Sequence, residues 1–235
     1  GLSCNMRQSK IQDKSILIEE STGNKCSNCP AGKAQIDQMM ASQPAGKIMV
    51  MALHFKGLEN DDPAEKYYSL ENQDVRDLIS YLDGDQGQPC AAFDRVPLGG
   101  KYFIVRGSGG NWSSAVSNEL NKTTPVNLHL TSSYDATSDR VTTQAEVAYT
   151  ENSTEQFYLS LFVLEDGLIG TQDSANFGVV KIHDYVFNDV MRKAITPVVG
   201  SPILQTFATK EAGRVFSKSV IFTPDAKWNK ENCRI

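Results

Sequence analysis

Residues Ser15–Pro30 read SILIEESTGNKCSNCP, and they are the most informative segment of the first half of the chain. Ser15–Glu20 is a short apolar run typical of a β-strand, and Ser21–Asn24 has the composition of a turn. The pair Cys26 and Cys29 then precedes a helical pattern. The proline that ends the stretch suits the first turn of that helix, because its missing N–H group has no partner to lose there.

The segments that follow complete a recognisable order. Lys47–Phe55 is almost entirely apolar, as expected for a strand that is buried on both faces. Pro89 opens a short apolar strand that extends to Phe93, and Trp112–Leu120 has a helical pattern. This is the order of elements in thioredoxin-like proteins. It consists of a strand, a Cys-x-x-Cys motif at a helix start, a buried strand and a later strand that opens with proline. Pro89 is then expected to be the cis proline of that fold.

The Cys-x-x-Cys motif allows two kinds of chemistry. At a helix N-terminus, unpaired N–H groups and a partial positive charge favour the thiolate of Cys26, and Lys25 adds a positive charge beside it. Cys26 would be the nucleophile and Cys29 the resolving thiol. Alternatively, the pair forms a permanent disulfide that holds a loop in an exported protein. Ser27-Asn28 between the cysteines and the absence of a preceding tryptophan are atypical of redox-active thioredoxins.

The second half of the chain has a different pattern. Val126–Tyr134, Val141–Tyr149 and Phe157–Val163 alternate between apolar and polar residues, which is typical of antiparallel sheet with one wet face. Val215–Phe222 is a further strand of this kind, and Lys181–Ile195 is ambiguous. The sequence therefore predicts an α+β protein of two domains, a thioredoxin-like α/β domain followed by an antiparallel β-sandwich. The expected boundaries are 1–14 for an N-terminal tether, 15–123 for the first domain and 125–235 for the second.

Composition excludes several classes of function. The 235 residues include 28 acidic and 23 basic side chains, a formal net charge of −5, without a basic stripe. No nucleic-acid partner is therefore expected. No apolar run approaches the ~20 residues that a membrane-spanning helix needs. Only two of the five cysteines are close together and the three histidines are far apart, so we predict no metal site and no cofactor.

The N-terminal residues Leu2-Ser3-Cys4 precede a polar stretch that extends to Lys14. A small residue before a cysteine at the start of a mature segment is typical of bacterial lipoproteins, in which that cysteine receives lipid. One interpretation is therefore that Cys4 carries lipid. The alternative is that Cys4 is an ordinary cysteine of a terminal segment.

Ile16–Pro30 resembles the opening of the Omp28-related outer-membrane lipoproteins of Bacteroidetes, which begin with a strand, then E-x-T-G, then C-x-N-C-P. Further segments are similar to the same family: Ala52-Leu53-His54, Gln88-Pro89, Phe93-Asp94-Arg95, Val163–Asp166, Gln172, His183–Phe187 and Met191-Arg192. The resemblance implies a thioredoxin-like domain and a β domain on a lipoprotein of the bacterial cell envelope, and it strengthens the expectation for Cys4. It implies little about activity. Cys90 departs from the family, which has a small or hydroxyl residue there.

Two hypotheses from different classes follow. In the first, the protein is a non-catalytic outer-membrane lipoprotein whose β-sandwich binds an unidentified protein or small ligand. Its thioredoxin-like domain would be a scaffold with a structural disulfide. In the second, the protein is a periplasmic or surface thiol–disulfide oxidoreductase whose catalytic residues are Cys26, Cys29 and Pro89. The atypical motif and a second half without visible chemistry favour the first hypothesis, since a fold alone does not confer a function.

Overall fold

The computed structural model describes residues 11–59, 69–84, 86–107, 111–175 and 180–235, and it is a mixed α+β structure. The described α-helices are α1 (Cys29–Ala41), α2 (Gln73–Tyr81) and α3 (Trp112–Leu120). The described strands are β1 (Ile16–Thr22), β2 (Ile48–His54), β3 (Cys90–Phe93), β4 (Ile104–Val105), β5 (Val126–Asp135), β6 (Arg140–Tyr149), β7 (Tyr158–Leu159), β8 (Phe162–Glu165), β9 (Leu168–Ser174), β10 (Val180–Phe187), β11 (Val190–Ala194), β12 (Ser201–Pro202), β13 (Val215–Phe222) and β14 (Cys233–Arg234). Among these residues, no helix has both the length and the apolar character needed to span a bilayer.

The chain divides into two compact units. The first, called the core unit, contains Ser15–Lys122, Phe162–Ala194 and Asn229–Ile235. The second, called the β unit, contains Thr123–Leu161 and Ile195–Trp228, together with residues 11–14 among those described. Both units are therefore built from segments that are not consecutive in the sequence.

The core unit is organised around a seven-stranded mixed sheet in the order β14-β8-β11-β2-β1-β3-β4. The pair β1 and β2 is parallel, and β2 is also parallel to β11, while the remaining pairs are antiparallel. The apolar run predicted for β2 agrees with its position inside the sheet, where six of its seven residues are buried.

Helices cover both faces of this sheet. Helices α1 and α3 contribute to one hydrophobic cluster with β1, β2 and β3, in which Ile18, Ile36 and Trp112 are almost completely buried. The buried residues of α2 are Val75, Leu78 and Ile79, which are not part of that cluster. Helix α2 contacts β2 and β11 on the opposite face.

The β unit contains a three-stranded antiparallel sheet, β13-β6-β5, and a two-stranded pair, β12-β7. Alternate residues of β6 are buried, as the period of two predicts. The ring centroid of Tyr149 at the end of β6 lies 6.0 Å from that of Phe157, and Lys218 of β13 donates a hydrogen bond to Ser201 of β12. One face of the three-stranded sheet, the face that carries Tyr149 and Lys218, therefore contacts the β12-β7 pair and Phe157, the residue before β7.

The compact units do not follow the expected domain boundaries. The first boundary is near the expected one, at Lys122/Thr123, but 125–235 is not one block. The predicted strand Phe157–Val163 is divided into β7 of the β unit and β8 of the core unit, and the ambiguous Lys181–Ile195 contains β10 and β11. The reason is hydrogen bonding, because β8, β11 and β14 extend the sheet of the first half beyond β2. The sequence also favours a helical stretch that opens at Asp62-Pro63, and these two residues lie outside the described ones.

A buried ion pair joins β1 to the turn after β3. The Glu19 side chain is fully buried, and Arg95 donates to both of its carboxylate oxygens at distances of 2.7–3.1 Å. Burial raises the pKa of Glu19, and the guanidinium of Arg95 opposes that rise through hydrogen bonds and charge. The same guanidinium lies 5.8 Å from the ring centroids of Tyr81 in α2 and Phe162 in β8.

Arg95→Met should lower the free energy of unfolding by about 3–5 kcal/mol, because it leaves the Glu19 carboxyl buried without its partner. Chemical denaturation with a fluorescence readout measures this change. The double variant Glu19→Met/Arg95→Met should recover most of the loss, since it removes both charges. Arg76→Met is the matched control at a half-exposed surface pair and should cost less than about 1 kcal/mol. A loss in Arg95→Met as small as in Arg76→Met would contradict the assignment.

Candidate functional site

The candidate site lies at the carboxyl ends of the parallel strands β1 and β2, where open α/β sheets commonly bind ligands. Cys26 lies in the turn that follows β1, and Cys29 is the first residue of α1. Their sulfur atoms form a disulfide with an S–S distance of 2.03 Å. Cys26 is 6% exposed and Cys29 is 2% exposed, so the disulfide is almost completely buried.

Gly23 in the motif T-G has a steric role. A Cβ atom at Gly23 would lie 2.5 Å from the Cβ of Leu58 and 2.6 Å from its carbonyl oxygen, closer than real atoms approach. The Lys25 N–H donates to that same carbonyl at 2.8 Å. Glycine is therefore required for the chain to pass Leu58 and enter the Cys-x-x-Cys turn.

Pro89 lies beside the first turn of α1. The Gln88–Pro89 peptide is cis, and a Cβ atom at Gly32 would lie 2.8 Å from the Cβ of Pro89. The helix and the strand β3 are thus in close contact at a position where only glycine fits. The next residue, Cys90, is fully buried in β3 as a thiol and pairs in register with Ser21 of β1.

The start of the disulfide turn is covered by β9. The Asp173 N–H donates to the carbonyl oxygen of Asn24, and the Ala175 N–H donates to that of Ser27, each at 2.8 Å. The Gln172 side-chain amide donates to the Cys26 carbonyl at 3.0 Å. These bonds come from a segment almost 150 residues away in sequence, and they hold the turn against β9.

A small cleft that is open to solvent lies beside the disulfide. Its walls are formed by the ends of β1 and β2, the first turns of α1, and the strands β9 and β10. The side chains that matter for its chemistry are Glu20, Lys33, His54, Gln172, Tyr185 and Phe187, with Cys29 at one side.

Glu20 is the most unusual group of this cleft. Its side chain is 2% exposed, and its Oε1 has no hydrogen-bond partner among the described residues. Burial raises the pKa of Glu20 to about 8, while the charge of Lys33 opposes the rise and the carboxylates of Asp37 and Asp189 add to it. At neutral pH the group therefore holds a proton.

Two further contacts fix the walls of the cleft. His54 Nδ1 is 2.8 Å from Glu59 Oε1, and both side chains are buried. The other oxygen of Glu59 accepts from the Leu70 N–H. The His54 ring packs edge-on against Phe187, and Phe187 lies 4.9 Å from Tyr185 between ring centroids. Burial, together with the charge of Glu20, raises the pKa of Tyr185 to about 12.

Comparison with known proteins adds two findings. Residues 79–235 match the family described as outer membrane protein Omp28, which is more than half of the chain. The chain belongs to this family. The resemblance predicted from the sequence is thereby confirmed, although the matched region begins after the Cys-x-x-Cys motif. Membership of an outer-membrane protein family indicates a location in the bacterial cell envelope.

The Omp28 family member is also similar in structure to HBP35 of Porphyromonas gingivalis. The TM-score is 0.65 at 17% sequence identity, over 92% of this chain and 67% of that chain. At this identity the likeness concerns the fold alone. None of the curated proteins matches the chain.

The structure brings Cys26, Cys29 and Pro89 to the same end of α1, whereas Cys4 lies outside the described residues. Sequence reasoning missed Glu20, although a charged pair inside an apolar strand was a visible signal. It also missed the hydrogen bonds between β9 and the disulfide turn, because no local pattern in the sequence indicates them. No group of three or more His, Cys, Asp or Glu side chains suited to a metal ion occurs in the described part of the chain.

Glu20→Gln should remove a specific pH dependence of stability. With a pKa near 8 in the folded state and near 4.5 when unfolded, the folded protein binds an additional proton between these values, so its stability falls as pH rises. The free energy of unfolding of Glu20→Gln relative to the wild type should therefore grow by about 3 kcal/mol between pH 4.5 and pH 7. Urea denaturation across this range measures it. The exposed control Glu155→Gln should follow the wild type, and parallel curves for Glu20→Gln and the wild type would refute the shift.

Proposed function

We propose that the protein is a non-catalytic lipoprotein of the outer membrane. Its core unit would be a thioredoxin-like scaffold, and its β unit a β-sandwich that serves as a binding module for a protein or a small ligand. The contact between the β6 face and the β12-β7 pair supports the sandwich architecture. The order of β1, the disulfide turn, α1, β2 and the cis proline supports the thioredoxin-like scaffold.

The observation that carries the non-catalytic proposal is the cover over the disulfide. A cysteine that attacks a disulfide of another protein must be reachable, because the reaction passes through a mixed disulfide. Cys26 is 6% exposed, and the nearby backbone carbonyls of Asn24 and Ser27 accept hydrogen bonds from Asp173 in β9 and from Ala175 directly after it. The disulfide then acts as a covalent clamp on the turn between β1 and α1.

A clamp of this kind should contribute to stability without turnover. Cys26→Ser should lower the free energy of unfolding by about 2 kcal/mol, the value for closing a very short loop. The wild type should reduce insulin no faster than the double variant Cys26→Ser/Cys29→Ser. Cys233→Ser is the matched control, since Cys233 lies in β14 as a thiol, and it should change neither readout. Rapid insulin reduction that Cys26→Ser abolishes while the fold stays intact would reverse the proposal.

The second candidate function is a thiol–disulfide oxidoreductase that uses Cys26 and Cys29. One observation favours it, namely that Glu20 and Cys29 line the same cleft. With a pKa near 8, Glu20 in its ionised form can accept the proton of a Cys29 thiol when that thiol attacks a mixed disulfide. This function would require β9 to leave the disulfide turn. The insulin assay above distinguishes the two candidates.

The anchor is proposed to be lipid on Cys4, with residues 1–14 as the tether. Family membership supports an outer-membrane location, and a small residue before a cysteine fits the lipoprotein pattern. Lipid on one cysteine requires no membrane-spanning helix.

Cys4→Ser should release the protein from the membrane. In a Bacteroidetes host, the wild type should enter the detergent phase of a Triton X-114 separation, because acyl chains partition into apolar surroundings. The Cys4→Ser variant should stay in the aqueous phase, and Cys233→Ser should behave as the wild type. Equal partitioning of the wild type and Cys4→Ser would remove the lipoprotein proposal.

A further inference from the structure

The cleft beside the disulfide contains a buried carboxyl group that the proposed function does not use. Glu20 lies on the α1 face of β1, opposite Ala52 of β2 in the parallel register. A Cβ atom at Gly32 would lie 3.1 Å from Glu20 Oε1, so the helix closes over the carboxyl from one side. Among the described residues this oxygen has no hydrogen-bond partner, although a buried polar atom without one is unfavourable.

The charged groups that face Glu20 determine whether a cation or an anion is favoured in the cleft. Helix α1 contributes Lys33 and Asp37, which form an ion pair with each other. Asp189, between β10 and β11, adds a further carboxylate whose charge acts on Glu20. Asp189 forms an ion pair with Arg234, so Asp37 and Asp189 each have a cationic partner, and the ionised Glu20 would add a negative charge to the cleft. The field at the cleft favours a cation once Glu20 is ionised.

The remaining walls suit an organic cation. Tyr185 and Phe187 of β10 place two aromatic rings 4.9 Å apart at the side of the cleft, and aromatic faces attract ammonium groups within about 6 Å. His54 of β2 has its Nδ1 engaged by Glu59, so the cleft holds too few available donors for a metal ion. The enclosed space admits a ligand of a few non-hydrogen atoms.

We propose that this cleft binds a primary ammonium group on an alkyl chain, with the Glu20 carboxylate as its counter-ion and the rings of Tyr185 and Phe187 along the chain. The ammonium could belong to a lysine side chain of a partner or to a free alkylamine. The site is in the core unit, and it does not depend on a redox role for the disulfide.

Binding requires Glu20 to lose its proton to the buffer. Below pH 8 the affinity should therefore rise about tenfold for each pH unit, and level off above this pH. Close to one proton per ligand should be released at pH 7. The other groups that face Glu20 are Lys33 and Asp37 on α1, His54 on β2, Tyr185 on β10, and Asp189.

The test uses the oxidised full chain without reductant and n-butylammonium as the probe. Isothermal titration calorimetry in two buffers with different ionisation enthalpies gives both the affinity and the number of protons released. A second arm uses Nα-acetyl-lysine N-methylamide. Tighter binding of this probe identifies a side chain of a partner as the source, and tighter binding of n-butylammonium identifies a free amine. The neutral probe butyramide should bind at least tenfold more weakly than n-butylammonium and release no proton.

Two variants complete the test. Glu20→Gln should bind n-butylammonium at least tenfold more weakly and lose the pH dependence, whereas the exposed control Glu155→Gln should bind as the wild type. Heat denaturation of each variant shows that it is folded. Equal binding of butyramide, unchanged binding in Glu20→Gln, or no heat of binding for either ammonium probe would overturn the proposal. The result of the insulin assay does not depend on these outcomes. The proposal of ammonium binding and the proposal of a non-catalytic protein can therefore be refuted independently.

Discussion

The ion pair between Glu19 and Arg95 is the contact that most of the core unit depends on. It joins β1 to the turn after β3, and the same guanidinium contacts the rings of Tyr81 and Phe162. Arg95 has a left-handed backbone with a φ of 53°, which a non-glycine residue keeps only when its surroundings impose it. The Arg95 side chain thus contacts elements from both halves of the sequence and pairs with the buried carboxylate of Glu19.

The neighbouring residues Glu19 and Glu20 have buried carboxyl groups in different surroundings on opposite faces of β1. Successive side chains of a strand point to opposite faces, so the two carboxyls meet different surroundings. Glu19 faces a guanidinium, whereas Glu20 faces the start of α1 and a cleft with an opposing aromatic wall. The Glu19 carboxylate is paired with Arg95, whereas the Glu20 carboxyl is protonated at neutral pH. Only the second lines the cleft.

Sequence patterns predicted the local elements better than their assembly. The helix Trp112–Leu120 and the strand Val215–Phe222 agree with the structure, because their apolar periodicity is set by the faces they bury. The turn at Cys26 and the contact of Pro89 with α1 followed from motif order. The addition of β8 and β11 to the first sheet could not be predicted, since strand pairing over more than a hundred residues leaves no local pattern. Glu20 stayed hidden for a related reason, as its burial depends on α1 and on β10.

The division of the core unit among three segments has a consequence for any shortened form of the protein. A fragment that stops at Lys122 lacks β8, β11 and β14, and so turns β2 from an interior strand into an edge. That edge is apolar, and the Ala52 N–H, which donates to the Asp189 carbonyl in the intact sheet, loses its partner, which favours association with another chain. The segments after Leu161 therefore cover part of a strand edge that the N-terminal half alone would expose.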